Sequence, residues 1–266
     1  MECRPPRERI LIEGNVKREL TVNVKTNLSD HVLVSGPRYK KDYIPMWLGN
    51  YPGWYSSGLV VGLIGPSIHK KKSQFQGYAF PKIYEIKGRF GLTSNNFFDN
   101  GKIIAKSTYK HLRKDQFEKI LSKIEAAQRQ QMFKMSGVGL GSEDAYRIAK
   151  TGWAPPADGN TLPVIYAIRS TSFDLPDFTI EVQCSNVTDQ FLAEFINEIG
   201  LAMKSTAICT RIRLIKFGPF CVENTLVENE WNLEKLIENI FLCNEIMENY
   251  QKTTKLNNKN FQKIEA

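Results

Sequence analysis

The sequence predicts an α+β fold, with a large mixed and mostly antiparallel sheet flanked by helices. Three observations point there. Segments with a period of two recur at Lys82–Lys87, Val164–Arg169, Phe178–Gln183 and Ala207–Ile215, the pattern of strands with two unlike faces. Segments with the helical period are fewer: Lys114–Arg129, Asp189–Ile199 and Trp231–Tyr250. The two kinds alternate irregularly across short turns, which favours antiparallel neighbours over a regular βαβ pattern.

Residues 1–8 carry no periodicity and read as an unstructured start to a domain spanning 9–250. Arg9–Glu13 and Leu20–Lys25 read as short strands joined by Gly14-Asn15, and His31–Ser35 as a third that ends at the Gly36-Pro37 turn. Pro45–Gly65 reads as a loop feeding a buried strand, Leu59–Ile64. His69–Lys72 opens a short helix. Lys82–Lys87 is a strand, and Asp99-Asn100-Gly101 is a turn before the next one, Lys102–Lys106. In Lys114–Arg129, Phe117, Ile120, Leu121 and Ile124 recur at i, i+3, i+4 and i+7, one apolar stripe with charges opposite. Asp144–Lys150 is a helical turn stopped by Gly152 and Pro155-Pro156. Two strands then flank the Asp174–Asp177 turn. Thr188 or Asp189 caps a helix that carries Phe191, Leu192, Phe195, Ile196 and Ile199 and ends at Gly200. Ala207–Ile215 and Phe220–Val222 complete the sheet. The stripe of Trp231–Tyr250 is expected to cover the domain's own core, and the Lys/Asn-rich residues 251–266 are expected to fray.

Over 266 residues, 36 Lys and Arg against 28 Asp and Glu leave a formal charge of +8, so a polyanion is the natural partner: RNA, DNA or an acidic membrane surface. No apolar run approaches the roughly twenty residues needed to span a bilayer. Cys3, Cys184, Cys209, Cys221 and Cys243 contain no close pair, and His31, His69 and His111 are scattered. That is neither a disulfide framework nor a zinc site, and it fits a reducing compartment. No metal and no cofactor is expected. The first residues hold no apolar stretch of a secretory signal and are too acidic for a good transit peptide; they read as a chain that starts past its beginning.

Within Lys82–Gly101, Tyr84 lies on a strand among Lys82, Lys87 and Arg89, and Gly88 and Gly91 leave room for a close approach to the backbone. An aromatic face ringed by cations suits a stacked base and its phosphates, although an ordinary half-buried tyrosine gives the same pattern. Lys70, Lys71 and Lys72 form a second cationic group, either a solvated face or a phosphate contact.

Several stretches, in this order, resemble the TruB family of pseudouridine synthases, most closely its animal mitochondrial branch. They are Arg9–Gly14, His31–Pro37, Ser56–Gly65, Lys82–Gly91, Asp144–Gly152, Glu181–Cys184, Glu198–Gly200 and Ser205–Arg213, and the resemblance runs from about Arg9 to Asn239. It implies the pseudouridine-synthase fold, a mitochondrial matrix protein, and conversion of a uridine in RNA to pseudouridine without a cofactor. The base is flipped into a pocket against the tyrosine of a Lys-x-Tyr motif, here Lys82-Ile83-Tyr84. A loop Asp is the family's catalytic group, and an Arg from a later helix pairs with it, since a buried carboxylate needs a compensating cation.

Both of those residues are missing. The family's loop frame Gly-x-x-Leu-Asp-x-x-x-x-Gly is here Gly49–Gly58, with Gly53 at the Asp position; counting back from Ile199-Gly200 places the Arg at Ala193. Register cannot restore either, because Glu85 is the one carboxylate between Asp42 and Asp99, and no Arg lies between Arg169 and Arg211. Glu85 alternates with Tyr84 and so points to the opposite face. The family's opening Lys-Pro-x-Gly strand and its bacterial C-terminal RNA-binding module have no counterpart here.

The resemblance therefore implies an RNA-binding domain with an impaired site. Tyr84 stacks a base, while Lys70, Lys71, Lys72, Lys82, Arg89, Arg211 and Arg213 contact phosphates, and Trp54 and Tyr55 fill the space left in the loop. Its partner would be structured mitochondrial rRNA, mRNA or tRNA. Two alternatives stay open: an active isomerase, and a structural or assembly component of a mitochondrial ribonucleoprotein such as the mitoribosome.

Overall fold

The structure is a computed structural model that describes residues 8–13, 21–26, 32–35, 44–66, 68–76, 80–135, 137–139, 141–143, 145–146 and 163–262. The expected unstructured start up to residue 7, the Gly14-Asn15 and Gly36-Pro37 turns, most of Asp144–Lys150, and Gly152 with Pro155-Pro156 lie outside these residues. The chain gathers into two units, residues 1–49 with 62–74 and residues 50–61 with 75–266.

In the first unit, β1 (Glu8–Glu13) and β2 (Thr21–Thr26) form the expected antiparallel pair, with Glu8 opposite Thr26 and Glu13 opposite Thr21. The expected third strand is instead a single helical turn, α1 (Val32–Ser35). A short apolar run without alternation fits either conformation, and here the helical one prevails. The expected loop and buried strand of Pro45–Gly65 become three strands of three residues each: β3 (Met46–Leu48), β4 (Ser56–Gly58) and β5 (Gly62–Ile64). Of residues 59–64 only Leu59 is buried. Strands this short show no period, which is why the sequence pattern misleads there. In this unit β3 pairs antiparallel with β5, and the Gly65 N–H donates to the Pro45 carbonyl at 3.0 Å. The short helix expected at His69 is α2 (Ile68–Gln76).

The second unit holds β6 (Lys82–Phe90), β7 (Leu92–Ser94), β8 (Ile103–Lys106), α3 (Lys114–Met135), β9 (Val164–Asp174), β10 (Asp177–Ser185), α4 (Asp189–Ala202), β11 (Ala207–Phe217), β12 (Phe220–Cys221) and α5 (Leu233–Gln262). Its sheet runs β12-β11-β6-β10-β9, antiparallel throughout, and β4 adds to β11 in parallel, Ile212 opposite Ser56. The sheet is thus mixed and mostly antiparallel, as the sequence predicts.

Alternation along β6 sets the two faces. Tyr84, Ile86, Gly88 and Phe90 are buried; Lys87 and Arg89 are exposed. On the buried side Phe178 stacks on Phe90 at 4.3 Å, and Phe117 from α3 meets Phe178 edge-on at 5.2 Å. Full burial of each such ring contributes roughly 2 kcal/mol. Gly88 is glycine because the Phe178 ring lies where its Cβ would be. The close approach read from the sequence is therefore made by the protein's own core.

Helix α4 begins at Thr188, whose Oγ1 accepts from the Phe191 N–H at 3.2 Å, and buries Leu192, Ala193, Phe195, Ile196 and Ile199. It continues to Ala202 past the expected stop. Gly200 is kept small by the Ala207 backbone packed against it rather than by a cap. Helix α5 runs through most of the expected frayed tail, to Gln262, and Leu233, Ile237 and Phe241 on it stay exposed. The expected core-covering stripe is in large part uncovered among the described residues.

Candidate functional site

The loop of residues 50–58 is fastened at both ends by groups the sequence reading does not single out. Asn50, a buried polar side chain, donates through Nδ2 to the Leu59 carbonyl at 2.9 Å and accepts from the Val61 N–H at 2.7 Å. Further along, the Ser57 hydroxyl donates to the Ile212 carbonyl, and the Leu59 N–H donates to the Leu214 carbonyl at 3.0 Å. The Tyr55 ring stacks on Phe98 at 4.2 Å.

At the middle of this loop stands Gly53. A Cβ at this residue would fall inside the carboxylate of Asp189, the first residue of α4. The same carboxylate accepts from the Tyr55 N–H at 2.8 Å through Oδ2. The volume that residue 53 would fill is therefore taken by an acid from a helix 134 positions beyond Tyr55. Trp54 and Tyr55 do not fill it: Trp54 is 90% exposed, and Tyr55 lies on Phe98. The aromatic filling expected from the sequence is corrected on this point. Thr188 takes the capping role, which leaves the Asp189 side chain to the loop.

Tyr84 lies on the core face of β6 and is only 4% exposed. Burial pushes its phenol pKa up, and negative charge at Cys184 and Asp189 adds to the shift. Two residues earlier on the same face, burial lowers the Lys82 pKa against the opposing pull of Cys184 and Asp189. Ala193 is fully buried one helical turn after Asp189, on the same side of α4. The structure thus brings Gly53, Lys82, Tyr84, Asp189 and Ala193 into one neighbourhood, with an acid and a cation in it. The acid does not stand at residue 53, where the loop frame puts it, and the cation does not stand at residue 193.

The other predicted cations are elsewhere. Arg89 lies on the opposite face of β6, bound to Asp177 by two hydrogen bonds of 2.7 and 3.2 Å that raise its pKa. Arg211 stands opposite Lys87 and Arg213 opposite Glu85, so both share that far face. Arg89, Arg211 and Arg213 therefore do not flank Tyr84; the period of two separates them from it. Glu85 lies on the far face as expected. In the first unit Lys70 and Lys71 are exposed on α2, and the Lys72 ammonium lies 5.4 Å from the centre of the Trp47 ring, a cation–π distance. Among the described residues no group of His, Cys, Asp and Glu is placed to hold a metal ion, and no helix is long and apolar enough to cross a membrane.

Asp189 carries no local signal of this role. An acidic residue in a helix's first turn ordinarily reports only the helix dipole.

Residues 56–189 match the TruB family pseudouridylate synthase (N terminal domain) model. The mitochondrial pseudouridylate synthase TRUB2 of Xenopus tropicalis is 34% identical over 240 residues, 88% of this chain and 73% of that protein. Its Homo sapiens counterpart is 27% identical over 227 residues, 85% of this chain and 67% of that protein. The archaeal box H/ACA sRNP Nop10-Cbf5 complex contains a chain that overlaps 69% of this one at 16% identity and a TM-score of 0.41; the overlap spans 42% of that chain. With the family model spanning half of the sequence and a relative above 30% identity matched over most of its length, the chain belongs to the TruB family of pseudouridine synthases.

Proposed function

We propose that the protein binds structured RNA in the mitochondrion and takes a uridine toward Tyr84, with isomerisation impaired relative to a synthase that carries the loop Asp and its Arg. Family membership and the relatives' names, which pair pseudouridylate synthase with mitochondrial, support the substrate class and the location. The observation that carries the reading is the aromatic loop, where the Tyr51 and Trp54 side chains are exposed and Tyr55, stacked on Phe98, ties the loop to the Asp189 carboxylate through its N–H. Gly53 and Ala193, which supply no acid and no cation, carry the impairment. Because Tyr84 is buried, a base reaches it only as the packing around it opens. Lys82 is the proposed phosphate contact beside Tyr84, and Lys70, Lys71 and Lys72 are proposed phosphate contacts of the first unit, on its own surface. Arg89, Arg211 and Arg213 form a second basic surface on the open face of the sheet.

The test is binding of mitochondrial rRNA, tRNA and mRNA by the purified protein at rising salt. Log affinity should fall with log salt by about 0.7–0.9 per phosphate contact. Trp54→Ala should weaken binding by about 1–3 kcal/mol if the ring stacks a base. Affinity indifferent to both salt and Trp54 would defeat the reading.

The exposed apolar side chains of α5 favour a second reading, a structural component of a mitochondrial ribonucleoprotein. It expects co-sedimentation with that particle and indifference to Trp54→Ala.

A further inference from the structure

The vacated catalytic position is not empty of charge. We propose that Asp189 is the catalytic carboxylate of this site, so that the slow isomerisation left to the protein runs through α4 instead of through the loop. The proposal rests on the reading of the Tyr84 pocket as the uridine site.

Three observations carry it. First, the Asp189 carboxylate occupies the space into which a side chain at residue 53 would grow, so the acid is delivered to the same place from the other side. Second, it is held there: Oδ2 accepts from the Tyr55 N–H at 2.8 Å, and that N–H belongs to the loop itself. Third, its charge is compensated without an arginine. Asp189 is the first residue of α4, where the helix dipole favours an anion, and the Lys82 ammonium feels its field. A cation at residue 193 is then dispensable, and the fully buried Ala193 one turn on is consistent with that. The loss of the loop acid and of its partner become one change, the transfer of a charge from loop to helix.

The chemistry needs nothing further. In converting uridine to pseudouridine, the C1′–N1 bond breaks and a C1′–C5 bond forms. C5 sheds a proton to water, and N1 takes one up. Substrate and product are isomers, so no oxidant, reductant or co-reactant enters. Positive charge gathers at C1′ as N1 departs, and a carboxylate oxygen facing C1′ stabilises it, as carboxylates do at glycosidic centres.

The experiment follows the C5 proton, as tritium released from mitochondrial RNA labelled at uridine C5, with RNA affinity measured in parallel on the same proteins. The natural protein should release tritium slowly. Asp189→Asn keeps an oxygen for the Tyr55 N–H but removes the charge, so release should drop roughly 100-fold with RNA affinity unchanged. In Gly53→Asp/Asp189→Gly the carboxylate returns to the loop, and release should recover to at least the natural rate. Release by Asp189→Asn equal to the natural protein's would overturn the proposal. So would a natural protein that binds the RNA and releases nothing. Absence of RNA binding by the natural protein would instead bring down the uridine-site reading on which the proposal stands. The double substitution guards against a misfolded Asp189→Asn, since it tests the same carboxylate from the other strand of the argument.

Discussion

Gly53 and Gly58 share a loop but are glycine for different reasons. At Gly53 the obstacle to a Cβ is the end of a side chain, Asp189, which can rotate away if it gives up its bond to the Tyr55 N–H. At Gly58 the obstacle is the Leu214 carbonyl, fixed in the β4–β11 ladder, and φ is +113°, a conformation L side chains rarely adopt. Gly53→Ala should therefore cost about 1 kcal/mol, the low end of overpacking, and Gly58→Ala about 2–5 kcal/mol, because strain and collision add. The stronger statement concerns coupling. Asp189→Gly removes the crowding that Gly53→Ala creates, so the double variant should be more stable than the two single costs predict, by about 0.5–3 kcal/mol. Urea midpoints of the four proteins measure this. Strict additivity would mean that Asp189 does not lie against residue 53.

At the scale of elements, the loop of residues 50–58 behaves as a clasp closed by one buried amide. Asn50→Ala leaves the Leu59 carbonyl and the Val61 N–H without their partner, and each buried unsatisfied group costs about 1–3 kcal/mol. The variant should lose about 2 kcal/mol or more in urea, and Asn50→Asp should lose at least as much, because it sets a buried carboxylate against the Leu59 carbonyl. The same loop shows what a sequence can and cannot reveal. The long elements β6, α3 and α4 were legible because nine or more residues repeat their period. The three-residue strands β3, β4 and β5 offer no period at all, so the sequence reads as loop over β3 and β4 and as one longer buried strand over β5. The strand that carries Tyr84 is legible, yet the sequence reading groups Arg89 with Tyr84 although five positions of alternation place the two on opposite faces. Arg211 and Arg213 needed the β11–β6 register, a long-range fact, to be placed. Asp189 needed the fold itself: helix and loop meet only through β4 added to the edge of β11, and no local pattern encodes that meeting.

Across the molecule, the surplus of basic residues leaves a formal charge of +8, while the interior of the larger unit sets how the protein answers alkali. Burial pushes the Cys184 and Cys209 thiols up from 9.0 to about 12 and raises the Tyr84 phenol as well. A group whose pKa is raised on folding stabilises the native state fully below its unfolded value and loses that contribution as pH climbs toward the folded one. For the thiols the loss begins near pH 9.0, and for Tyr84 near 10.0. Lys82 works the other way, since its pKa is lowered from 10.5 by burial, and the cost of its buried ammonium eases as pH rises to that value. The two thiols and Tyr84 oppose Lys82, so stability should fall from pH 9 upward, by about 2–3 kcal/mol per thiol at pH 11 if each stays buried. The check is the urea midpoint at half-unit steps from pH 8 to 11 under reducing conditions, for the natural protein and for Cys184→Ala/Cys209→Ala. The variant starts lower, because two side chains have left the core, but its curve should be flatter between pH 9 and 10, before Tyr84 begins to titrate. Parallel curves through that interval would show that the thiols ionise as freely in the folded protein as in the unfolded chain, and would contradict their burial in β10 and β11.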